Sequence, residues 1–152
     1  MDQLEHPLKA EIEALRTIIK NTEKMKIDNS KLDPKNGPHQ EFFKNGGLSA
    51  EGNFVNGEKD GEWKYYLLNG GLKSVGKFAN GKMTDKWKWY RENGQLMQTG
   101  QFDENEQKTG LWKRYYPNGR LLDEGSFFRG KPIGEWHSYD AEGTFTKVKS
   151  YK

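Results

Sequence analysis

The side chains best able to move a proton or hold a metal near neutral pH are three histidines, His6, His39 and His137. None of them stands in a metal-ligand or nucleophile motif. There is no cysteine, so thiolate metal sites and disulfides are excluded. The Asp and Glu residues are scattered, with no spacing that would bring two of them together around a substrate. Glycine-rich stretches such as Asn69-Gly70-Gly71 read as turns and not as phosphate loops, because no helical pattern follows them. These features predict no enzymatic activity, no cofactor and no metal.

What recurs instead is a basic and aromatic series. Lys64, Lys88 and Lys113 follow one another at 24 and 25 residues, with His137 next, and Tyr66, Tyr90, Tyr115 and Tyr139 stand two residues beyond each. Residues two apart on a strand share a face, so strands here would display a Tyr/Lys stripe. Tyrosine joins a large contact area to a polar tip, and lysine stems lie along such rings with the ammonium in water. The bland reading is a solvated outer face. The functional reading is a contact surface for an acidic protein, with anionic lipid headgroups as the alternative. Stacked tyrosines beside lysines also suit single-stranded nucleic acid, but a net charge of +3 is too slight to predict it.

Glycine shows what positions the stripe. No glycine precedes Gly37, and all eighteen lie from there onward. Units starting at Gly37, Gly61, Asp85, Gly110 and Gly134 place sixteen of them in four columns. The ninth position after each start holds Gly46, Gly70, Gly94, Gly119 and Gly143. The fifteenth holds Gly52, Gly76, Gly100, Gly125 and finally Lys149. Large side chains align as well. The second position is His39, Trp63, Trp87, Trp112 and Trp136, and the fifth is Phe42 and then the four tyrosines. The eleventh is Leu48, Leu72, Leu96, Leu121 and Phe145, and the seventeenth is Phe54, Phe78, Phe102, Phe127 and Tyr151.

Asn-Gly between apolar stretches is a strong hairpin signal, because both residues tolerate positive φ. With a two-residue loop at each ninth-position glycine, position six pairs with eleven, two with fifteen, and the start with seventeen. Each Trp then lies opposite a glycine, whose bare backbone a large ring can cover. Trp, Leu, Phe and the paired glycines fall on one face and the Tyr column on the other. Second turns at Asn56-Gly57, Asn80-Gly81 and Arg129-Gly130 join successive hairpins, and Asp103 to Gln107 forms a longer, exposed loop. The fold class expected is mainly β: an antiparallel hairpin meander of about ten strands, in units 37–60, 61–84, 85–109, 110–133 and 134–152. Burial of each ring contributes ~1.5–3 kcal/mol.

Units such as Gly110-Leu-Trp-Lys-Arg-Tyr-Tyr-Pro-Asn-Gly119, followed by Leu121, Gly125 and Phe127, resemble MORN repeats. They are most similar to the bacterial MORN-variant type, whose proteins are often labelled antitoxin components. The resemblance covers residues 37–152 and implies a protein-interaction, membrane-associated or oligomerising element, with a toxin as one kind of partner. Departures from the pattern lie at His39, Asp85 and Lys149.

Residues 1–36 form a separate segment, an amphipathic helix and its linker. From Pro7 to about Lys26, Leu8, Ile12, Leu15 and Ile19 recur at helical spacing, with Ile18 and Met25 flanking them. Asp28 to Pro38 reads as a polar linker. Such a stripe must be covered, either by the chain's own sheet or by a second copy or another partner. No apolar run approaches the ~18 residues of a membrane span, and no signal-peptide core follows Met1, so a cytoplasmic location is the simplest expectation.

Overall fold

A computed structural model describes residues 9–20 and 34–152. The chain divides into two compact units, Met1–Lys35 and Asn36–Lys152.

In the first unit residues 9–20 form a helix, α1. Ala10, Ala14, Leu15 and Lys20 favour it, and Thr17 returns its hydroxyl to the Glu13 carbonyl at 3.0 Å. Ile12, Leu15 and Ile19 project from it with 47%, 57% and 56% of their surface exposed. Leu8, Met25 and the rest of the expected helix lie outside the described residues, as does most of the linker.

The second unit is a single ten-stranded sheet in sequence order. Its strands are β1 (Gly37–Phe42), β2 (Leu48–Val55), β3 (Glu58–Tyr66), β4 (Leu72–Ala79) and β5 (Lys82–Tyr90), then β6 (Leu96–Phe102), β7 (Lys108–Tyr115), β8 (Leu121–Phe128), β9 (Lys131–Tyr139) and β10 (Phe145–Tyr151). Each is antiparallel to the next, so the meander is as expected.

Three of the four joining turns are the two-residue kind, and the fourth, Asp103 to Gln107, is longer, as expected. Asn56, Asn80 and Arg129 have φ of 51°, 52° and 50°, and each is followed by a positive-φ glycine. The tips differ from expectation. Gly70 donates to the Leu67 carbonyl at 2.9 Å and Leu67 to that of Gly71 at 2.7 Å, closing a three-residue loop, Leu68-Asn69-Gly70. Only the glycine takes positive φ there. Asn69 instead accepts the Gly71 N–H on Oδ1 at 2.8 Å, an Asx turn. Position five, not six, therefore meets eleven: Tyr66 pairs with Leu72, and a bulge at Lys73 restores the register at Tyr65 and Ser74. The consequence is a correction to the faces. The Leu column pairs with the Tyr column and shares its side, as the Tyr139 and Phe145 rings, 6.1 Å apart, show directly.

Beyond the bulge the register is as expected, with Trp63 opposite Gly76, Trp87 opposite Gly100 and Trp112 opposite Gly125. The rings, however, cover different glycines. Between hairpins, Glu51 pairs with Lys64 and Asn53 with Asp60, so Gly52 alone faces three residues, Gly61 to Trp63. That excess folds the indole back onto the preceding unit. A Cβ on Gly52 would stand 2.2 Å from Trp63, and one on Gly76, Gly100 or Gly125 would stand 2.0–2.2 Å from Trp87, Trp112 or Trp136. The start of each later unit lies inside the excess and takes positive φ, 71° at Gly61 and 58° at Asp85.

Each indole also meets the preceding seventeenth-position ring edge-on. Phe54 and Trp63 are 5.1 Å apart at 83°, and Phe78 and Trp87 are 5.2 Å apart at 89°. The Trp63 Nε1 donates to the Asn53 carbonyl at 2.9 Å. Trp63, Trp87 and Trp112 are buried, with Ala50 and Phe54, in a core made mostly of rings on one face of the sheet.

Candidate functional site

The sheet carries the expected stripe as a continuous row on the face away from the indoles. Lys64 is opposite Val75, which is opposite Lys88; Lys88 is opposite Thr99, Thr99 opposite Lys113, Lys113 opposite Glu124, and Glu124 opposite His137. Tyr66, Tyr90, Tyr115 and Tyr139 run beside it, each paired with Leu72, Leu96, Leu121 or Phe145. The tyrosines are half-buried rather than fully open, because the Leu column flanks them.

The charge on this face is mixed. Lys64 Nζ is 3.8 Å from Glu62, Lys113 Nζ is 3.8 Å from Glu124, and His137 is 3.8 Å from Glu135. Burial raises the Tyr66 hydroxyl above its ordinary value, and Glu51, which it hydrogen-bonds, raises it further. Lys88, at the middle of the row, is exposed.

Alternation places exposed apolar side chains on the same face toward β7–β10. Leu111 is 48% exposed, Phe145 52% and Val148 49%. Ser126, opposite Leu111, is opposite Ile133 in turn, which extends the patch. The face is therefore charged toward β3–β5 and apolar toward β7–β10. Column counting missed Leu111 and Ile133 because no other unit carries Leu, Ile or Val at their positions, whereas Phe145 belongs to the Leu column, expected on the other face.

The indole face holds the other residues that the repeat columns did not pick out. Position four shares the parity of position two and carries Tyr65, Trp89 and Arg114 in successive units. Trp89 stacks between Trp87 and Trp112, at 6.0 and 5.7 Å. Arg114 donates from Nε to buried Asp123 at 2.9 Å, and that bond holds its guanidinium further above its usual range. Lys59 and Lys108 place Nζ 4.9 and 4.8 Å from the Trp63 and Trp112 ring centres. Parity with the Trp column was the available signal. A cavity of about 300 Å³ lies on this face, lined by Lys108, Arg114, Trp136 and Tyr151 among others.

Of the helix residues proposed for docking, Ile12, Leu15 and Ile19 are exposed and share a helical stripe, and Leu8 lies outside the described residues. His39 lies on β1 and His137 on β9, in the first and fifth units. Among the described residues no three His, Asp or Glu side chains gather as a metal-ligand group, and no helix is long and apolar enough to cross a membrane.

No curated protein matches the chain. Among solved structures, TarM and a TarM mutant from S. aureus, the latter bound to fondaparinux, α-GlcNAc-glycerol and UDP, align with 80% of this chain at 14% identity. Their TM-scores are 0.41 and 0.42, and the chain spans only 26% and 27%, about a quarter, of their lengths. A family model described as MORN repeat variant matches four stretches, residues 35–56, 59–80, 86–104 and 108–128. Together the matched stretches take in more than half of the sequence and fall on the hairpins of the first four units, so the chain belongs to the MORN repeat variant family.

Proposed function

We propose that this protein is a non-enzymatic protein-interaction module that docks a partner on its Tyr/Lys face. The observation that carries this reading is the single row from Lys64 through Lys88 and Lys113 to His137, with a Tyr/Leu band beside it and an apolar patch at its β7–β10 end. A rigid surface combining tyrosine, lysine and exposed aliphatic groups matches the make-up of protein interfaces. Carboxylates beside Lys64 and Lys113 offset part of the basic charge. That weighs against the alternative, association with anionic lipid, which relies on uncompensated lysines. The partner class is an acidic or mixed-charge protein surface. Scaffolding is one use of such a module, and neutralisation of a toxin, which the antitoxin label implies, is another.

The test begins with affinity purification of the tagged full chain from its host, alongside co-expression with the products of neighbouring genes. The purified partner is then titrated against the chain carrying Tyr90→Ala and Lys88→Glu. At least tenfold weaker binding with an unchanged melting temperature supports the reading. Unchanged affinity rejects this face. Salt-sensitive binding to phosphatidylserine vesicles that the double substitution abolishes, with no protein partner, favours the lipid alternative.

A further inference from the structure

Successive units are tied together by up to four kinds of side-chain link, not all of them present at every joint. The indole of the following unit rests on the fifteenth-position glycine, as Trp63 does on Gly52. At two joints its Nε1 donates back to a carbonyl on the preceding strand, Trp63 to Asn53 at 2.9 Å and Trp87 to Lys77 at 3.1 Å. The tip asparagine donates forward from Nδ2: Asn69 to the Glu92 carbonyl at 3.2 Å and Asn118 to that of Ala141 at 2.8 Å. The sixth-position side chain reaches a fifth-position carbonyl in the next unit, Arg91 to Tyr115 at 2.9 Å and Tyr116 to Tyr139 at 2.6 Å.

At the two edges of the sheet, β1 and β10, several of the residues that make these links are replaced. On the β10 side Lys149 stands in the glycine column and Glu142 in the asparagine column. Asp140 takes the sixth position, and its Oδ1 turns back to accept from Glu142 and Thr144 of its own turn at 3.1 and 2.9 Å. On the β1 side His39 takes the place of the tryptophan, so it supplies neither an indole nor its Nε1 donor. Other parts of the joint are kept. Gly37 still has the positive φ of a unit start, 90°, and Tyr151 still supplies the seventeenth-position ring.

From this pattern we infer that His39 and Lys149 form a matched pair of blocks that keep β10 of one copy from pairing with β1 of another. Open edges of this kind join copies head to tail without closure and build filaments. The block is steric before it is electrostatic: an indole seated over residue 149 would meet the lysine Cβ as it would meet a Cβ on Gly125, at about 2.1 Å. A smaller ring at position 39 removes the other half of the contact.

Mixing differently tagged full-length chains tests this. One carries His39→Trp and the other Lys149→Gly, so each has one repaired edge and one blocked edge. The expected result is a one-to-one complex that forms at least tenfold more tightly than any pairing of wild-type chains. Each variant alone should keep the wild-type mass in sedimentation. Replacing Lys149→Gly by Lys149→Ala, which removes charge but keeps a Cβ, should not support the complex. Near-UV circular dichroism checks that each chain is folded, and His39→Tyr substitutes if the tryptophan chain is not. Failure of the mixed, folded chains to associate overturns the inference. So does equal association with Lys149→Ala, or head-to-tail growth by the wild type.

Discussion

Gly76 is paired across its hairpin with Trp63 but covered by Trp87 of the following unit, whose Cδ2 would lie 2.0 Å from a Cβ placed there. The fifteenth-position glycine thus serves the next hairpin rather than its own. The same relationship explains both ends of the array. His39 stands on β1 and Lys149 on β10, the outer strands of the sheet, where the indole and the glycine of this relationship are replaced.

Gly76→Ala should therefore be among the costliest single-methyl additions in the chain. The new carbon meets a rigid, buried ring that Phe78 holds edge-on, so the loss of stability should reach at least ~3 kcal/mol, the upper end for overpacking. Lys149→Ala, in the same column, should change stability by about 0.5 kcal/mol or less. Urea denaturation of the two variants compares them, and equal losses would refute the assignment.

Asp85 and Glu106 hold φ of 58° and 61°, where other units and tips use glycine. Asp85→Gly and Glu106→Gly should each raise stability, by about 0.5–1 kcal/mol, because relief of the left-handed strain outweighs the added freedom of the unfolded chain. The Lys77–Asp85 pair, exposed and 3.9 Å long, opposes this only weakly. Thermal melts check both.

Tyr66 makes the fold less stable at alkaline pH. Its hydroxyl is raised from 10.0 by burial, then by Glu51 and Glu62, so the folded state holds that proton more tightly than the unfolded state does. The resulting stability is complete below about pH 10 and is lost as pH climbs through the raised folded value. Tyr66→Phe should lose less stability than the wild type between neutral pH and the far alkaline range, as read by denaturation midpoints at stepped pH.

Most of the architecture was legible because the repeat is read five times. Glycine and ring columns fixed the hairpins, the strand count, and the pairing of Trp63 with Gly76. The tips were misread because Asn69-Gly70 suits a two-residue turn as well as the three-residue loop it adopts, and its Oδ1 bond to Gly71 selects the latter. That one-residue difference moved Leu72 and its column to the Tyr side. Which glycine an indole covers depends on the three-for-one excess opposite Gly52, which pairing counted within a hairpin does not reveal. At the candidate site the Lys and Tyr columns were visible. In the apolar patch Phe145 was visible as part of the Leu column but expected on the other face, and Leu111 and Ile133 were not visible because no other unit carries Leu, Ile or Val at their positions.

Helix α1 leaves Ile12 and Leu15 about half exposed, and pairing of copies through this stripe is one of the coverings the sequence allows. Ile12→Glu with Leu15→Glu should lower the mass seen by light scattering to that of a single chain without changing the sheet's near-UV spectrum. A wild type already monomeric at high concentration would exclude self-association by this route.

The most direct test of the indole-on-glycine rule is the proton chemical shift of the Gly76 α-hydrogens. A ring seated on that backbone shifts them strongly upfield. The shift should vanish in Trp87→Leu and persist in Trp63→Leu, although Trp63 is the residue paired with Gly76. A shift that instead disappears with Trp63, or that is absent from the wild type, would contradict the packing on which both the two-faced sheet and its blocked edges depend.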